Sequence, residues 1–184
     1  GQSQPIAEDV VKEIVSKGGI AVADQHSVIK GEKIIQTAVK SFGKVDILIN
    51  NAGVSRPAPF QDITPEDWQS IFRVHVDGAF KCTRAVWNLM REQGYGRIIN
   101  MSSSIGLYGG IDGHHSASFA AAKIAIHGFS QSLAIEGVKR NIFTNSVAPI
   151  ANTRALGLSG AQGDFIGAEK IVPLIGYLCH ETCK

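Results

Sequence analysis

The sequence lacks the features that mark proteins of nucleic acids, membranes or the secretory route. Eighteen lysines and arginines face sixteen acidic residues, a formal charge of +2. No basic block interleaves with aromatic residues, so we expect no nucleic-acid partner. No apolar run approaches the length of a membrane span, and residues 1–10 are neither basic nor apolar enough for a signal peptide. We therefore expect an intracellular, cytoplasmic protein without a membrane partner.

Cysteine is also scarce. Cys82, Cys179 and Cys183 are the three cysteines, and the last two form a C-x3-C pattern around His180. A structural zinc site would need a second pair of ligands at suitable spacing, which the chain does not offer. Reduced thiols are the simpler interpretation, and we expect no metal site.

The chain does have enough hydrophobic residues to form a core. Hydrophobic residues make up 44% of its 184 residues and charged residues 18%, a composition typical of globular domains. Stretches rich in Ile and Val alternate with stretches of helical periodicity, which predicts a doubly wound α/β fold with a parallel sheet. We expect one domain over residues 1–184, with strands at "IAVA", "VDILIN", "RIINMS" and "FTNSVAP".

In folds of this class, ligands gather at the carboxyl ends of the strands. The predicted strands end at residues 50–53, 102–104 and 148–152. We expect these three segments to surround one crevice.

An aromatic residue and a lysine stand four positions apart in "HHSASFAAAKIAIHGF". Phe119 and Lys123 would lie one above the other on one helix face, so both can reach one pocket. The alanines around Lys123 favour a lysine that points into the crevice over one in solvent. A tyrosine beside that ammonium would be an evident proton donor, but the residue is phenylalanine.

The stretches "INNAG" and "NMSSS", followed by the aromatic-x-x-x-Lys helix, resemble the short-chain dehydrogenase/reductase family. "RVHVDGAF", "GYGRIINMSSSIGLYG" and "LCHETC" are most similar to the (3R)-hydroxyacyl-CoA dehydrogenase units of peroxisomal multifunctional enzymes. The resemblance covers nearly the whole chain. It implies a Rossmann-like fold, NAD-dependent oxidation of a 3-hydroxyacyl-CoA and a peroxisomal location.

The resemblance also implies roles for individual residues. Ser103 would polarise the substrate oxygen, Lys123 would hold the ribose, and His75 occupies a position at which most relatives carry asparagine. Asn50, Ala52 and Gly53 would lie beside the cofactor. Serines at strand ends also satisfy backbone groups, and a mid-helix histidine is often simply buried, so those interpretations of Ser103 and His75 stay open.

Several departures from the family pattern affect function. Phe119 stands at the position of the family's catalytic tyrosine, and the sequence contains no T-G-x-x-x-G-x-G loop for a pyrophosphate. The first βαβ unit and last strand of the family fold have no counterpart here. His26 takes the place of an adenine-side aspartate. His114 and His115 lie in a longer segment near the expected site, where they are either replacement acid/base groups or exposed loop histidines.

Together these departures predict an enzyme that performs non-redox chemistry, such as isomerisation, dehydration or cyclisation, on a hydrophobic carbonyl or acyl compound. Ser103, Lys123 and one of the histidines His75, His114 and His115 would serve as hydrogen-bond donors, and we expect no cofactor. The alternatives are an NAD(P)-dependent oxidoreductase of 3-hydroxyacyl or keto substrates, and a catalytically silent partner subunit.

Two expectations concern assembly. Helices over residues 65–92 and 117–137 should form a homodimer or a tetramer built from it, with Ala121, Ala125 and Gly128 allowing close approach. Within the sheet, "IAVA" should pair beside "VDILIN" to give four strands, since otherwise an open strand edge would remain.

Overall fold

The structure is a computed structural model, and it describes residues 4–109, 117–150 and 167–183. Its centre is a three-stranded parallel sheet of order β1-β2-β3. The strands are β1 (Ile47–Asn50), β2 (Gly96–Met101) and β3 (Ile142–Val147). β2 is the middle strand and pairs Asn100 with Asn50 on one side and with Ser146 on the other. The predicted α/β parallel architecture is confirmed.

Helices lie around this sheet. They are α1 (Gln4–Ser16), α2 (Gly31–Phe42), α3 (Pro65–Phe72), α4 (Gly78–Gln93), α5 (Ser104–Tyr108), α6 (Ala117–Gly137) and α7 (Val172–Cys179). Thr64 caps α3, because its Oγ1 accepts a hydrogen bond from the Asp67 amide at 3.1 Å and Pro65 takes the first helical position. None of the described helices is long and apolar enough to cross a membrane.

The core forms between the middle strand and the helices on its faces. Ile98 and Ile99 are completely buried on opposite faces of β2. On one face of β2, Ile98 packs in one cluster with Val86 and Met90 of α4 and with Ile35 of α2. This burial explains why a continuous apolar run predicted the strand correctly.

The expectation of a fourth strand was wrong. Residues 20–23, "IAVA", form no strand, and β1 is an edge of the sheet. Ile20 is 83% exposed, so the segment has no apolar surface to cover it. Its end is held against α2 instead, because Asp24 accepts a 2.6 Å hydrogen bond from the Thr37 hydroxyl.

α3 does not run directly into α4. Residues Arg73–Asp77 form a π-helical turn between the two helices. Such turns often occur at functional sites, because the wider turn changes the direction of one side chain. Here the buried side chain of the turn is His75.

A fully buried arginine joins the C-terminal segment to the sheet. The Arg97 guanidinium on β2 lies between two aromatic rings, 4.5 Å from the centroid of Tyr95 and 4.6 Å from that of Phe143. Its N–H groups donate to four backbone carbonyls, of Gly96, Asn141, His180 and Glu181. Because the last two belong to the turn after α7, this single side chain fixes that turn to the sheet.

Candidate active site

A cavity of about 120 Å³ opens at the carboxyl end of β1. Its walls are mostly apolar, and its polar groups come from the end of β1, the π-helical turn and α6. The lining residues include Val28, Leu48, Asn50, Asn51, Ala52, His75, Cys82, Met101, Lys123 and Ile126. An apolar pocket with a few convergent polar groups is the usual form of a small-molecule site.

Lys123 reaches this cavity from α6, as the helical spacing predicted. Only 6% of the residue is exposed, and its Nζ donates to the Met101 carbonyl at 2.5 Å. Burial lowers the pKa of the Lys123 amine from 10.5 to about 8. In the described part of the chain no carboxylate forms an ion pair with it. About a tenth of this amine is therefore neutral at pH 7.

His75 lines the same cavity from the π-helical turn. Its Nε2 lies 2.8 Å from the carbonyl oxygen and 3.1 Å from the amide nitrogen of Val54. The ring can donate to the carbonyl or accept from the amide, depending on its tautomer. Burial lowers the pKa of His75, the Val54 carbonyl opposes that effect, and the Lys123 charge lowers it further. The imidazole is therefore neutral at pH 7.

Phe119 lies between these two groups. Its ring packs edge-on against His75, with 5.2 Å between centroids and an interplanar angle of 86°. The Lys123 Nζ lies 5.4 Å from the centroid of the same ring. No oxygen is present at this point, so a hydroxyl cannot pass a proton between ligand and lysine.

The residues expected beside a cofactor lie at the end of β1. Asn50, Ala52 and the intervening Asn51 line the cavity. Gly53 positions the imidazole, because a Cβ there would be 2.6 Å from the His75 Cε1. Asn50 has a structural role as well, since its Nδ2 donates to Asn100 at 2.8 Å and to Thr83 at 3.1 Å.

Ser103 lies at the N-cap of α5 and does not line the cavity. Its Oγ accepts a 3.3 Å hydrogen bond from the Ile105 amide, which leaves the hydroxyl proton unused in that bond. The neighbouring Ser102 is buried and donates to the Lys123 carbonyl at 2.7 Å, so it holds α6 against the end of β2.

The positions of two candidate histidines are not described by the structure. His114 and His115 lie outside the described residues. Their proposed role as replacement acid/base groups stays a prediction.

Among the described residues, the three strand ends do not line one cavity, and residues 151 and 152 of the expected third segment lie outside the described residues. Residues 145–149 line a second cavity of about 420 Å³ between the end of β3 and α7. The end of β1 and Met101 of β2 line the first cavity. β3 therefore contributes to a different space, because α6 covers its side of the sheet.

Sequence reasoning missed a buried amide network beneath the cavity. Asn100 Nδ2 donates to the Ser130 hydroxyl at 2.9 Å, and this hydroxyl donates to the Ile126 carbonyl at 2.8 Å. With Asn50, this network links β1, β2 and α6. The available signal was that β1 and β2 both carry asparagine where they pair in register.

The described residues hold no metal centre, since no group of three or more His, Cys, Asp or Glu side chains among them could bind an ion. The thiol of Cys82 is buried in the cavity wall, and burial raises its pKa. Cys82 is thus a neutral thiol near neutral pH.

Comparison with known proteins identifies the family. The family model described as short chain dehydrogenase matches residues 1–156. The chain belongs to the short-chain dehydrogenase family. This confirms the resemblance given by "INNAG", "NMSSS" and the Lys123 helix.

Within this family, the chain is similar to peroxisomal enzymes that combine several activities in their names. The chain is 48% identical over 184 residues to peroxisomal multifunctional enzyme A of Dictyostelium discoideum, covering 98% of this chain and 41% of the relative. It is 46% identical over 187 residues to the peroxisomal hydratase-dehydrogenase-epimerase of Saccharomyces cerevisiae, covering 100% of this chain and 20% of the relative. The chain thus spans less than half the length of these relatives.

Among solved structures, full-length peroxisomal multifunctional enzyme type 2 from Drosophila melanogaster matches with a TM-score of 0.82 and 36% identity. The match covers 97% of this chain and 30% of that one. The described fold is therefore similar to that of one part of this longer protein.

Within the described residues, this cavity alone encloses less space than the family's nicotinamide cofactor would need. A cavity of about 150 Å³ holds a molecule of the size of benzene. A nicotinamide ring with its ribose is larger, whereas this cavity measures about 120 Å³. The proton transfer and imine formation proposed for this cavity need no nicotinamide.

Proposed function

We propose that this short-chain dehydrogenase relative performs non-redox chemistry, such as isomerisation, dehydration or cyclisation, on a hydrophobic carbonyl compound. One observation carries the proposal. Phe119 takes the position of the family's phenol, while His75 and Lys123 line one mostly apolar cavity. The groups for moving a proton next to a carbonyl are present, and the hydroxyl used with hydride transfer is not.

The chemistry divides between the two side chains. The Lys123 N–H would donate to the oxygen of an enolate, where negative charge develops as a neighbouring proton leaves. His75 is neutral and can accept that proton, a transfer that typically contributes 10²- to 10⁴-fold in rate. Ser103 does not line the cavity, so in this proposal it donates no hydrogen bond to the ligand.

Exchange of the protons next to a carbonyl group tests this proposal. 2-Butanone in deuterated buffer, followed by proton NMR without added nucleotide, should exchange faster with the protein than with buffer alone. His75→Gln should reduce the protein-dependent rate by roughly 100-fold. His180→Gln, a change at the exposed histidine after α7, is the control and should leave the rate unchanged. Exchange no faster than in buffer would reject the proposal.

The relatives favour a second candidate. The yeast relative carries "dehydrogenase" in its name, and the 48% identity to the Dictyostelium relative extends across the chain. This candidate is an NAD(P)-dependent oxidoreductase of 3-hydroxyacyl or keto substrates, working in a peroxisome as the relatives' names indicate. NAD-dependent oxidation of a 3-hydroxyacyl thioester would support it over non-redox chemistry.

We also propose that the chain assembles as a homodimer or a tetramer built from dimers. α6 presents Ile124 and Ile135 at 44% and 78% exposure. Between them, a Cβ at Gly128 would meet no atom within 4 Å. An exposed apolar stripe around a glycine suits close packing against a symmetry-related helix.

A further inference from the structure

Lys123, Cys82 and His75 line the 120 Å³ cavity, and each carries a nucleophilic atom. The imidazole of His75 has no NH2 group, so it cannot form an imine. The Cys82 thiol donates to the Val28 carbonyl at 3.7 Å and has a raised pKa, so little thiolate is present. The lysine amine is therefore the group able to attack a carbon atom held in this space.

We propose that Lys123 Nζ forms an imine with a small aldehyde or ketone bound in this cavity. The inference deepens the proposed function and rests on it for the carbonyl class of ligand. It assigns the amine a covalent role in addition to that of a hydrogen-bond donor.

The surroundings of Lys123 favour a reactive amine. Among the described residues, the Lys123 amine donates one hydrogen bond, to the Met101 carbonyl, and no carboxylate pairs with it. A neutral amine keeps one N–H directed to Met101, and its lone pair then lies away from that carbonyl. Burial without an opposite charge is the physical reason for its lowered pKa and for the free amine near neutral pH.

The covalent step balances without an oxidant or a reductant. The amine nitrogen attacks the carbonyl carbon, an N–C bond forms, and one nitrogen proton moves to the oxygen to give a carbinolamine. The nitrogen lone pair then forms the C=N bond as the C–O bond breaks, the oxygen takes up a second proton and leaves as water, and the nitrogen releases its remaining proton to give the neutral imine. His75 lines the same cavity and is suited to carry these protons, because one of its ring nitrogens is not used in the bond to Val54.

The cavity also limits the size and polarity of the ligand. Its volume of about 120 Å³ is somewhat below that of a cavity that holds benzene. Apolar side chains of Val28, Ile34, Leu48 and Ile126 form much of the wall. These features fit a straight-chain aldehyde or ketone of about three to five carbons, and they exclude a bicyclic aromatic aldehyde.

Reductive trapping tests the proposal. The whole chain is incubated at about pH 7 with butanal and sodium cyanoborohydride, which reduces an imine to a stable secondary amine. Peptide mapping then compares Lys123 with exposed Lys81 and Lys139. Lowering the pKa of Lys123 from 10.5 to about 8 raises its neutral fraction at pH 7 by roughly 300-fold. A less basic amine is also a weaker nucleophile, as is known for thiols, so the gain in labelling rate is smaller than the gain in neutral fraction. We expect Lys123 to be labelled at least about tenfold faster than Lys81 and Lys139.

Controls separate the site from general amine chemistry. Lys123→Arg should abolish the fast phase, whereas Lys139→Arg should retain it. 2-Naphthaldehyde should label the exposed lysines but not Lys123. Labelling of Lys81 and Lys139 with none at Lys123 in the folded wild-type chain would overturn the proposal, and this outcome does not depend on any variant folding.

The trapping result and the exchange result are distinguishable. Trapping at Lys123 without proton exchange supports the imine and rejects the proposed non-redox turnover. Exchange without trapping overturns the imine and leaves Lys123 as a hydrogen-bond donor.

Discussion

The ring of His75 stands nearly perpendicular to the ring of Phe119, with 5.2 Å between their centroids. Phe119 packs behind His75 and Lys123, which line the cavity themselves, and it brings a ring without a hydroxyl next to both. Both Lys123 and His75 thereby remain next to the ligand space without a phenol between them. The relationship between His75 and Phe119 is the physical basis of the predictions about chemistry.

Phe119→Tyr should not create a dehydrogenase. The substitution restores a proton donor, but it does not enlarge the cavity of about 120 Å³ beside His75 and Lys123. We expect no NAD-dependent oxidation of a 3-hydroxyacyl thioester, followed by absorbance of the reduced nicotinamide. Phe119→Leu is the matched control for loss of the ring. Appearance of oxidation in the tyrosine variant alone would show that only the phenol was missing.

Lys123→Met should stabilise the protein at neutral pH. The lowering of the Lys123 pKa from 10.5 to about 8 corresponds to a penalty of roughly 3 kcal/mol for the charged form, offset in part by the bond to Met101. Between those two pKa values the unfolded state binds more protons, so the stability of the wild type rises with pH. The advantage of the variant is full below about pH 8 and disappears above about pH 10.5.

Urea unfolding at about pH 7 and about pH 10 measures this difference. Lys81→Met, at an exposed lysine, is the control and should show no such trend. A stability difference that does not change with pH would mean that Lys123 is not held in a desolvated state.

Arg97→Lys should destabilise the fold by about 3 kcal/mol. An ammonium cannot stack between Tyr95 and Phe143 or reach the four carbonyls that the guanidinium serves. Hydrogen exchange of the amides in residues 180–183 should accelerate, because the turn after α7 loses its bonds to the sheet. Arg140→Lys, at an exposed site, should change stability by less than about 0.5 kcal/mol. Equal effects of the two substitutions would contradict this account of the C-terminal turn.

Ile124→Glu should separate the proposed homodimer. The charge would be placed on the exposed stripe of α6, where burial against a second copy would leave it without a partner. Sedimentation at micromolar protein should show a dimer or tetramer for the wild type and a monomer for the variant. Lys139→Glu, on the exposed turn after α6, is the control for charge alone. A monomeric wild type would reject the assembly.

The strands that could be predicted from the sequence are those that the structure buries. "RIINMS" contains Ile98 and Ile99, both completely buried, and its apolar run therefore reports a real core strand. "IAVA" carries the same signal but lies exposed, because a short apolar run does not reveal whether a neighbouring strand is available for pairing. Periodicity likewise gave no indication of the π-helical turn that directs His75 inward.

The candidate site was only partly predictable for a similar reason. The four-residue spacing of Phe119 and Lys123 fixes their common face, so the position of Lys123 followed from helix geometry. The positions of Asn100 and Ser130 depend on the register of β1, β2 and α6, which are far apart in sequence. The environment of Arg97 is likewise assembled from three distant segments, and no local pattern signals it.

Calorimetric titration of the purified chain with NAD and with NADPH tests the central claim most directly. The account predicts no saturable binding tighter than about 1 mM, a binding free energy of less than about 4 kcal/mol. The titration is repeated with Phe119→Tyr, which should give the same result. A micromolar dissociation constant for either nucleotide would contradict the account and support the NAD(P)-dependent oxidoreductase.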